Sequence, residues 1–188
     1  MLSIICPSHN CDTQKFMEEI ENEVPGDIQI IGCNDREAKG KGWAMRTALA
    51  QATGTTVIFI DGDGDISPRM ILRLLPYLRD YDIVCGVKPI SGRWSRRVLS
   101  YFSRIYIALL FGVKVDSQTG IKAFRTYALG DWYSNGWLFD LEILSVAKQK
   151  GMSMIEVPIE FTPGNKKVKL ISIWKTLKES WTLWLELR

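Results

Sequence analysis

The sequence predicts an α/β domain: a mostly parallel sheet with helices on both faces. Short apolar runs rich in β-branched residues alternate with segments of helical period along most of the chain, the pattern of strand–helix–strand units. The run Val57-Ile58-Phe59-Ile60 breaks off into Asp61-Gly62-Asp63-Gly64-Asp65, and open α/β sheets bind ligands beyond the carboxyl ends of their strands. At 188 residues and 46% hydrophobic content the chain is long and apolar enough for one cored domain.

The elements run in order from the N-terminus. Leu2 to Cys6 reads as a buried strand ended by Pro7-Ser8-His9-Asn10. Asp12 to Val24 reads as a helix with Phe16, Met17, Ile20 and Val24 on one face, broken by Pro25-Gly26. Ile28 to Ile31 is a second strand, Trp43 to Ala52 a helix closed by Gly54, and Thr55 to Ile60 a third strand. Ser67 and Pro68, as N-cap and first helical residue, open a helix through Leu78. Ile83 to Val87 is a fourth strand, Val98 to Phe111 an aromatic-rich amphipathic helix, and Asp140 to Lys150 a helix ended by Gly151. Met154 to Phe161, interrupted by Pro158, is an edge or bent strand. Ser172 to Leu187 is a last amphipathic helix.

Side chains of an extended segment alternate faces, so Asp61, Asp63 and Asp65 are expected to point the same way. Hard oxygen ligands at the mouth of a strand suit Mg²⁺ or Mn²⁺ shared with a phosphorylated substrate. A helix-loop-helix calcium loop is excluded: its sixth and twelfth positions would be Ile66 and Leu72 where Gly and Glu are required. The pattern alone leaves open a phosphatase of the haloacid dehalogenase type, the Asp-x-Asp of nucleotide-sugar transferases, and a plain acidic surface turn.

Charge is unevenly spread under a formal net of +3. Lys88, Arg93, Arg96, Arg97 and Arg104 occur without an intervening acid, and the last 25 residues carry six bases against Glu179 and Glu186. Basic segments beside an acidic site point to phosphates or a membrane surface. Cys6, Cys11, Cys33 and Cys85 lack zinc or redox spacing; three of them lie in or beside apolar runs and read as core or near-core thiols, and a reducing, cytosolic compartment fits best. No signal peptide is evident, and the longest apolar run, Ile105 to Val113, is nine residues, too short to span a bilayer.

With the elements placed, the chain resembles family 2 glycosyltransferases of the GT-A (Rossmann-like) fold, most closely the dolichyl-phosphate mannose synthase and polyprenyl-phosphate glycosyltransferase branch. The likeness runs in order through Ser3 to Asn10, Gly40-Lys41-Gly42, Ala52-Thr53-Gly54, Asp61-Gly62-Asp63, Asp116 to Arg125, Phe139-Asp140-Leu141-Glu142 and Glu156-Val157-Pro158-Ile159. Counting Ala52-Thr53-Gly54 and Asp61-Gly62-Asp63 as one, six such matches in order are specific where each alone is weak. A phosphatase would need its acidic motif near the N-terminus and a second acidic pair downstream, and this chain has neither.

The resemblance implies an inverting, Mg²⁺- or Mn²⁺-dependent transfer of a hexose from a GDP- or UDP-sugar to a polyprenyl phosphate. It implies one domain over 1–188: a nucleotide-binding half at 1–88, an acceptor half at 89–170, and an interfacial helix at 171–188. Asp61 and Asp63 would act in catalysis and hold the metal with Asp65. Pro7, His9, Asn10, Asp35, Lys41, Gln118 and Lys167 would contact the donor. Arg96, Ser100 and Lys88 would hold the acceptor phosphate, with Arg96 counted as catalytic. The chain departs from the family at Cys11, at Gly32-Cys33-Asn34-Asp35, where Asp35 would stand in for the base-contacting Asp, and at Thr162-Pro163, where an Arg is usual. A hydroxyl acceptor would need a base, for which Asp140 or Glu142 is the candidate, against capping or structural pairing. A glycan acceptor and a catalytically silent nucleotide- or membrane-binding homologue are the alternatives. The lipid acceptor implies peripheral membrane contact at the cytoplasmic face, with room for a membrane-anchoring partner subunit and no nucleic-acid ligand. Two apolar stripes would lie on the bilayer: Val98, Tyr101, Phe102, Ile105, Leu109 and Phe111; and Ile171, Trp174, Leu177, Trp181, Trp184 and Leu185, flanked by Lys175 and Lys178.

Overall fold

The structure, a computed structural model, describes residues 1–8, 13–35, 39–89, 94–162 and 170–188. Its strands are β1 (Leu2–Ser8), β2 (Ile28–Asn34), β3 (Thr56–Ile60), β4 (Ile83–Val87), β5 (Ile121–Arg125) and β6 (Met154–Pro158). Its helices are α1 (Thr13–Glu23), α2 (Lys41–Leu49), α3 (Arg69–Leu74), α4 (Trp94–Phe111), α5 (Phe139–Gln149) and α6 (Leu170–Glu186).

The six strands form one sheet in the order β2-β1-β3-β5-β4-β6. Pairing is parallel for β1 with β2 and β3 and for β4 with β6, while β5 runs antiparallel between β3 and β4. Alternation along each strand divides the core. Ile5, Val57, Phe59, Ile83, Cys85 and Phe124 meet Met45 of α2, Leu144 of α5 and Leu183 of α6 on one face. Ile4, Cys6, Ile58, Ile60, Val84 and Ala123 meet Phe16 and Ile20 of α1 and Ile71 of α3 on the other. The expected layers, helices on both faces of a mostly parallel sheet, are those found.

Differences from expectation have local causes. The helix expected through Leu78 is α-helical only to Leu74 and continues as a 3₁₀ turn over Leu75–Arg79. Pro76 has no N–H to give the α-helical ladder. Ser67 still starts the first turn: its Oγ accepts the Arg69 N–H at 3.3 Å and its carbonyl the Met70 N–H at 3.0 Å. β6 is the edge strand that Pro158 suggested. β5 was not anticipated, because Lys122 interrupts its apolar run and its strand character comes from neighbours on both sides.

Among the described residues no helix is long and apolar enough to cross a membrane. The α4 stripe is exposed at Tyr101, Phe102, Ile105 and Leu109, the last 80% exposed. On α6, Leu177, Trp181 and Leu185 are exposed while Leu183 enters the core. The side chains of Ile171 and Trp174 lie outside the described residues.

Candidate active site

β3 ends at Ile60, and two backbone bonds fix the next two residues. The Asp61 N–H donates to Gly120 O at 2.8 Å and the Gly62 N–H to Pro7 O at 3.1 Å. Asp61 is thus held between the ends of β1 and β5, its side chain 31% exposed. Gly120 lies flush against it, and a Cβ there would run into Asp61 Oδ2. Side-chain size is therefore excluded at Gly120 by the carboxylate itself.

The expected alternation of Asp61, Asp63 and Asp65 along an extended segment is corrected. The chain leaves the strand at once and turns over residues 62–66, with Gly64 at φ 75°. The Asp65 N–H donates to Asp63 Oδ1 at 3.3 Å, and Asp65 O accepts the Thr162 N–H at 3.0 Å. Asp63 is exposed and Asp65 half-buried. Among the described residues no three His, Cys, Asp or Glu side chains gather as an ion cage. Such a donor set still fits Mg²⁺ or Mn²⁺: Mg²⁺ is commonly held through one or two carboxylates plus substrate phosphates.

Lys41, the first residue of α2, reaches Asp61 Oδ1 with its Nζ at 2.5 Å. Burial alone would lower its pKa; Asp61, Asp140 and Asp63 outweigh burial and hold the ammonium above its ordinary value. Lys88, just past β4, has its pKa lowered by burial, against the pull of Asp61, Asp116, Asp63 and Asp65. Its Nζ stands 4.0 Å from the centroid of the Phe161 ring. Two lysines therefore bracket the acidic turn, one from α2 and one from the end of β4.

Beneath Asp61 lies a cavity of about 10 Å³ lined by Pro7, Lys41, Phe59, Gly120, Lys122 and Asp140 among others, room for about one water. Lys122 of β5 is 1% exposed. It donates to Thr119 O at 2.7 Å and pairs with Asp140 Oδ1 at 3.4 Å. Burial raises the Asp140 carboxyl above the usual carboxylate range, against Lys122 and Lys41. Asp140 thus takes the structural pairing weighed for it in the sequence. Glu142 is structural too, but caps no helix: its two oxygens accept the Tyr133 and Ser134 N–H groups of the loop before α5 at 2.8 Å each.

The remaining expected residues are spread around this centre. Asp35 accepts the Lys39 and Gly40 N–H groups, each at 2.7 Å, and so shapes the entry to α2. Gln118 is exposed, with its Nε2 donating to Ser103 Oγ of α4 at 3.0 Å. Ser100 is half-buried on α4, one helical turn beyond Arg96. His9, Asn10 and Lys167 lie outside the described residues, as does the Arg96 side chain. Arg104 pairs with Glu156 of β6. Cys6 and Cys85 are buried thiols pushed up to about 12 by burial, and Cys33 to about 11, so they remain unreactive at neutral pH. Sequence reasoning missed Lys122 and the 132–138 loop. A lysine inside the run Ile121 to Phe124 was the available signal for the first.

Comparison with known proteins fits this geometry. The model of glycosyl transferase family 2 matches residues 5–130, and the chain belongs to that family. It is 29% identical over 161 residues to a dolichyl-phosphate β-glucosyltransferase of Drosophila melanogaster, covering 76% of this chain and 49% of that one. It is 29% identical over 146 residues to polyprenol monophosphomannose synthase of Mycolicibacterium smegmatis, covering 71% and 53%. The chain therefore spans about half the length of these two relatives. In structure it is similar to glucosyl-3-phosphoglycerate synthase of Mycobacterium tuberculosis bound to Mn²⁺ and UDP-glucose, with TM-score 0.78 and 17% identity over 100% of this chain and 78% of that one. The shared fold is GT-A.

Proposed function

We propose that this domain transfers a hexose, with inversion, from a nucleoside diphosphate sugar to a polyprenyl phosphate at the cytoplasmic face of a membrane. The observation that carries the reading is the half-buried Asp61 at the carboxyl end of β3, wedged against Gly120 and bracketed by Lys41 and Lys88. The family match and the polyprenyl-phosphate relatives support it.

Asp61 and Asp63 would hold a Mg²⁺ or Mn²⁺ ion, with Asp65 as a third candidate ligand, and Pro7, His9, Asn10, Asp35, Gln118 and Lys167 would contact a UDP or GDP moiety. The ion would offset charge on the departing diphosphate. Lys41 adds positive charge on the same side. Lys88, Ser100 and Arg96 would place the acceptor phosphate. A phosphate oxygen attacks the anomeric carbon, the bond from that carbon to the diphosphate oxygen breaks, and the diphosphate leaves with the electron pair. A phosphate is anionic at neutral pH, so no strong base is required. In this reading residues 1–88 serve the nucleotide, 89–170 the acceptor and 171–188 the membrane surface. The exposed apolar residues of α4 and α6 support peripheral contact. A hydroxyl acceptor is the second reading, favoured by one observation: Asp140, with its raised pKa, lines the same cavity.

The test is thermal stability with GDP-, UDP- and dTDP-sugars, with and without Mn²⁺, for wild type and Asp63→Ala. A shift of several degrees from one nucleotide, dependent on metal and lost in the variant, is expected. No shift from any of them would turn the reading to a silent binding homologue.

A further inference from the structure

The loop from Trp132 to Leu138 is tied down on two sides. The buried Trp132 donates its indole N–H to Gly42 O at 3.0 Å, and Arg46 of α2 donates to Trp132 O at 2.7 Å and Asn135 Oδ1 at 2.6 Å. Asn135 O in turn accepts the Gly42 N–H at 2.8 Å and the Trp43 N–H at 3.4 Å. Gly42 has no room for a side chain, since a Cβ there would run into Ser134 O. From the α5 side, Glu142, itself 3% exposed, accepts the Tyr133 and Ser134 N–H groups. A buried carboxylate and an arginine spent on a short loop make a rigid mount.

That mount carries Trp137, a residue 74% exposed. A single exposed aromatic needs no explanation by itself; its position does. The ring centroid stands 5.4 Å from Lys41 Nζ, and that nitrogen is 2.5 Å from Asp61 Oδ1. The indole therefore stands within a sugar's length of the carboxylate proposed to hold the diphosphate's metal ion. It lies on the α2–α5 side, whereas Lys88 approaches from the end of β4 beside Phe161. A hexose has a face of C–H groups, electropositive and weakly hydrated, which complements the negative face of an aromatic ring.

We propose that Trp137 is the platform on which the donor's hexose ring lies, and so a specificity-determining residue for the sugar rather than for the base or the acceptor. The inference rests on the donor-site reading above.

The experiment measures Kd by calorimetry, in Mn²⁺, for UDP-glucose against UDP and GDP-mannose against GDP, on wild type, Trp137→Ala and Trp137→Phe. The expected result is a Kd for the nucleotide sugar weakened about tenfold in Trp137→Ala, with the nucleoside diphosphate unaffected and Trp137→Phe recovering most of the loss. Equal weakening of sugar and diphosphate forms would assign the ring to the nucleotide and overturn the proposal. Unchanged binding of both forms would overturn it while leaving the donor site standing. A wild type that binds none of the four would overturn the donor-site reading and this inference with it.

Discussion

Lys41–Asp61 and Lys122–Asp140 are the same chemical pair set in two surroundings of one cavity. The first is 2.5 Å long with side chains 18% and 31% exposed; the second is 3.4 Å with 2% and 15%. Lys41 starts a helix and has Trp137 and Phe139 beside it. Lys122 sits mid-strand, opposite Phe59 and Cys85, and also ties Thr119. Asp61 keeps an exposed edge, while Asp140 is paired with the lysine that ties Thr119 O next to Gly120. Exposure, not residue type, separates the pair suited to exchange partners from the pair suited to hold the frame.

The comparison breaks first at Lys122. Lys122→Met leaves Asp140 without its buried partner and is expected to cost about 3–5 kcal/mol in urea unfolding. The double variant Lys122→Met/Asp140→Leu should recover most of it, since replacing both partners removes the uncompensated charge. A single variant as stable as wild type would refute the structural role.

Asp61→Asn tests the other pair. If the proposed function holds, transfer of labelled sugar to polyprenyl phosphate should fall at least about 100-fold, roughly 2.7 kcal/mol of barrier. Activity within threefold of wild type would place the chemistry elsewhere.

Lys41→Met sharpens the contrast through pH. The folded pKa of Lys41 lies above 10.5, so its contribution is whole below that value and is lost only as pH rises through the higher folded value. The stability gap between wild type and variant should therefore be flat through neutral pH and close only in strong alkali. Partial exposure keeps it below about 2 kcal/mol. A gap that closes near neutrality would contradict the pairing.

Asp82 is a control outside the site and carries the smallest effect. It accepts from Tyr127 Oη at 2.5 Å and from the Ser153 N–H and Oγ at 2.8 and 2.7 Å, which hold its pKa below 3.8. Its contribution is present above 3.8 and lost as pH falls through the lower folded value. Asp82→Asn should lower the melting temperature slightly at neutral pH, leave sugar transfer intact, and match wild type in strong acid.

How much was legible depends on the range of each signal. β1, β3 and β4 are continuous apolar runs, α1 and α5 show helical period, and Pro158 marked β6 as an edge; each of these is written in neighbouring residues. The ordered motifs reached the family, and Asp61 and Lys41 with it. The two residues come together although they lie 20 positions apart, because parallel β1 and β3 bring α2 beside the end of β3.

The sequence by itself determined the alternation of strands and helices, helices on both faces of the sheet and an acidic motif at a strand end, because burial periodicity is a local property of the chain. Only the tertiary structure decided that β5 is an antiparallel strand, that Asp61, Asp63 and Asp65 lie along a turn instead of an extended segment, that Asp35 serves two backbone N–H groups, and that Lys122 is buried. It also decided that the loop before α5 is pinned to α2, with Trp137 beside Lys41. These depend on partners distant in sequence, such as Phe59 opposite Lys122 and Arg46 beneath Asn135, and no local pattern specifies which distant group will satisfy a buried charge or an unpaired amide.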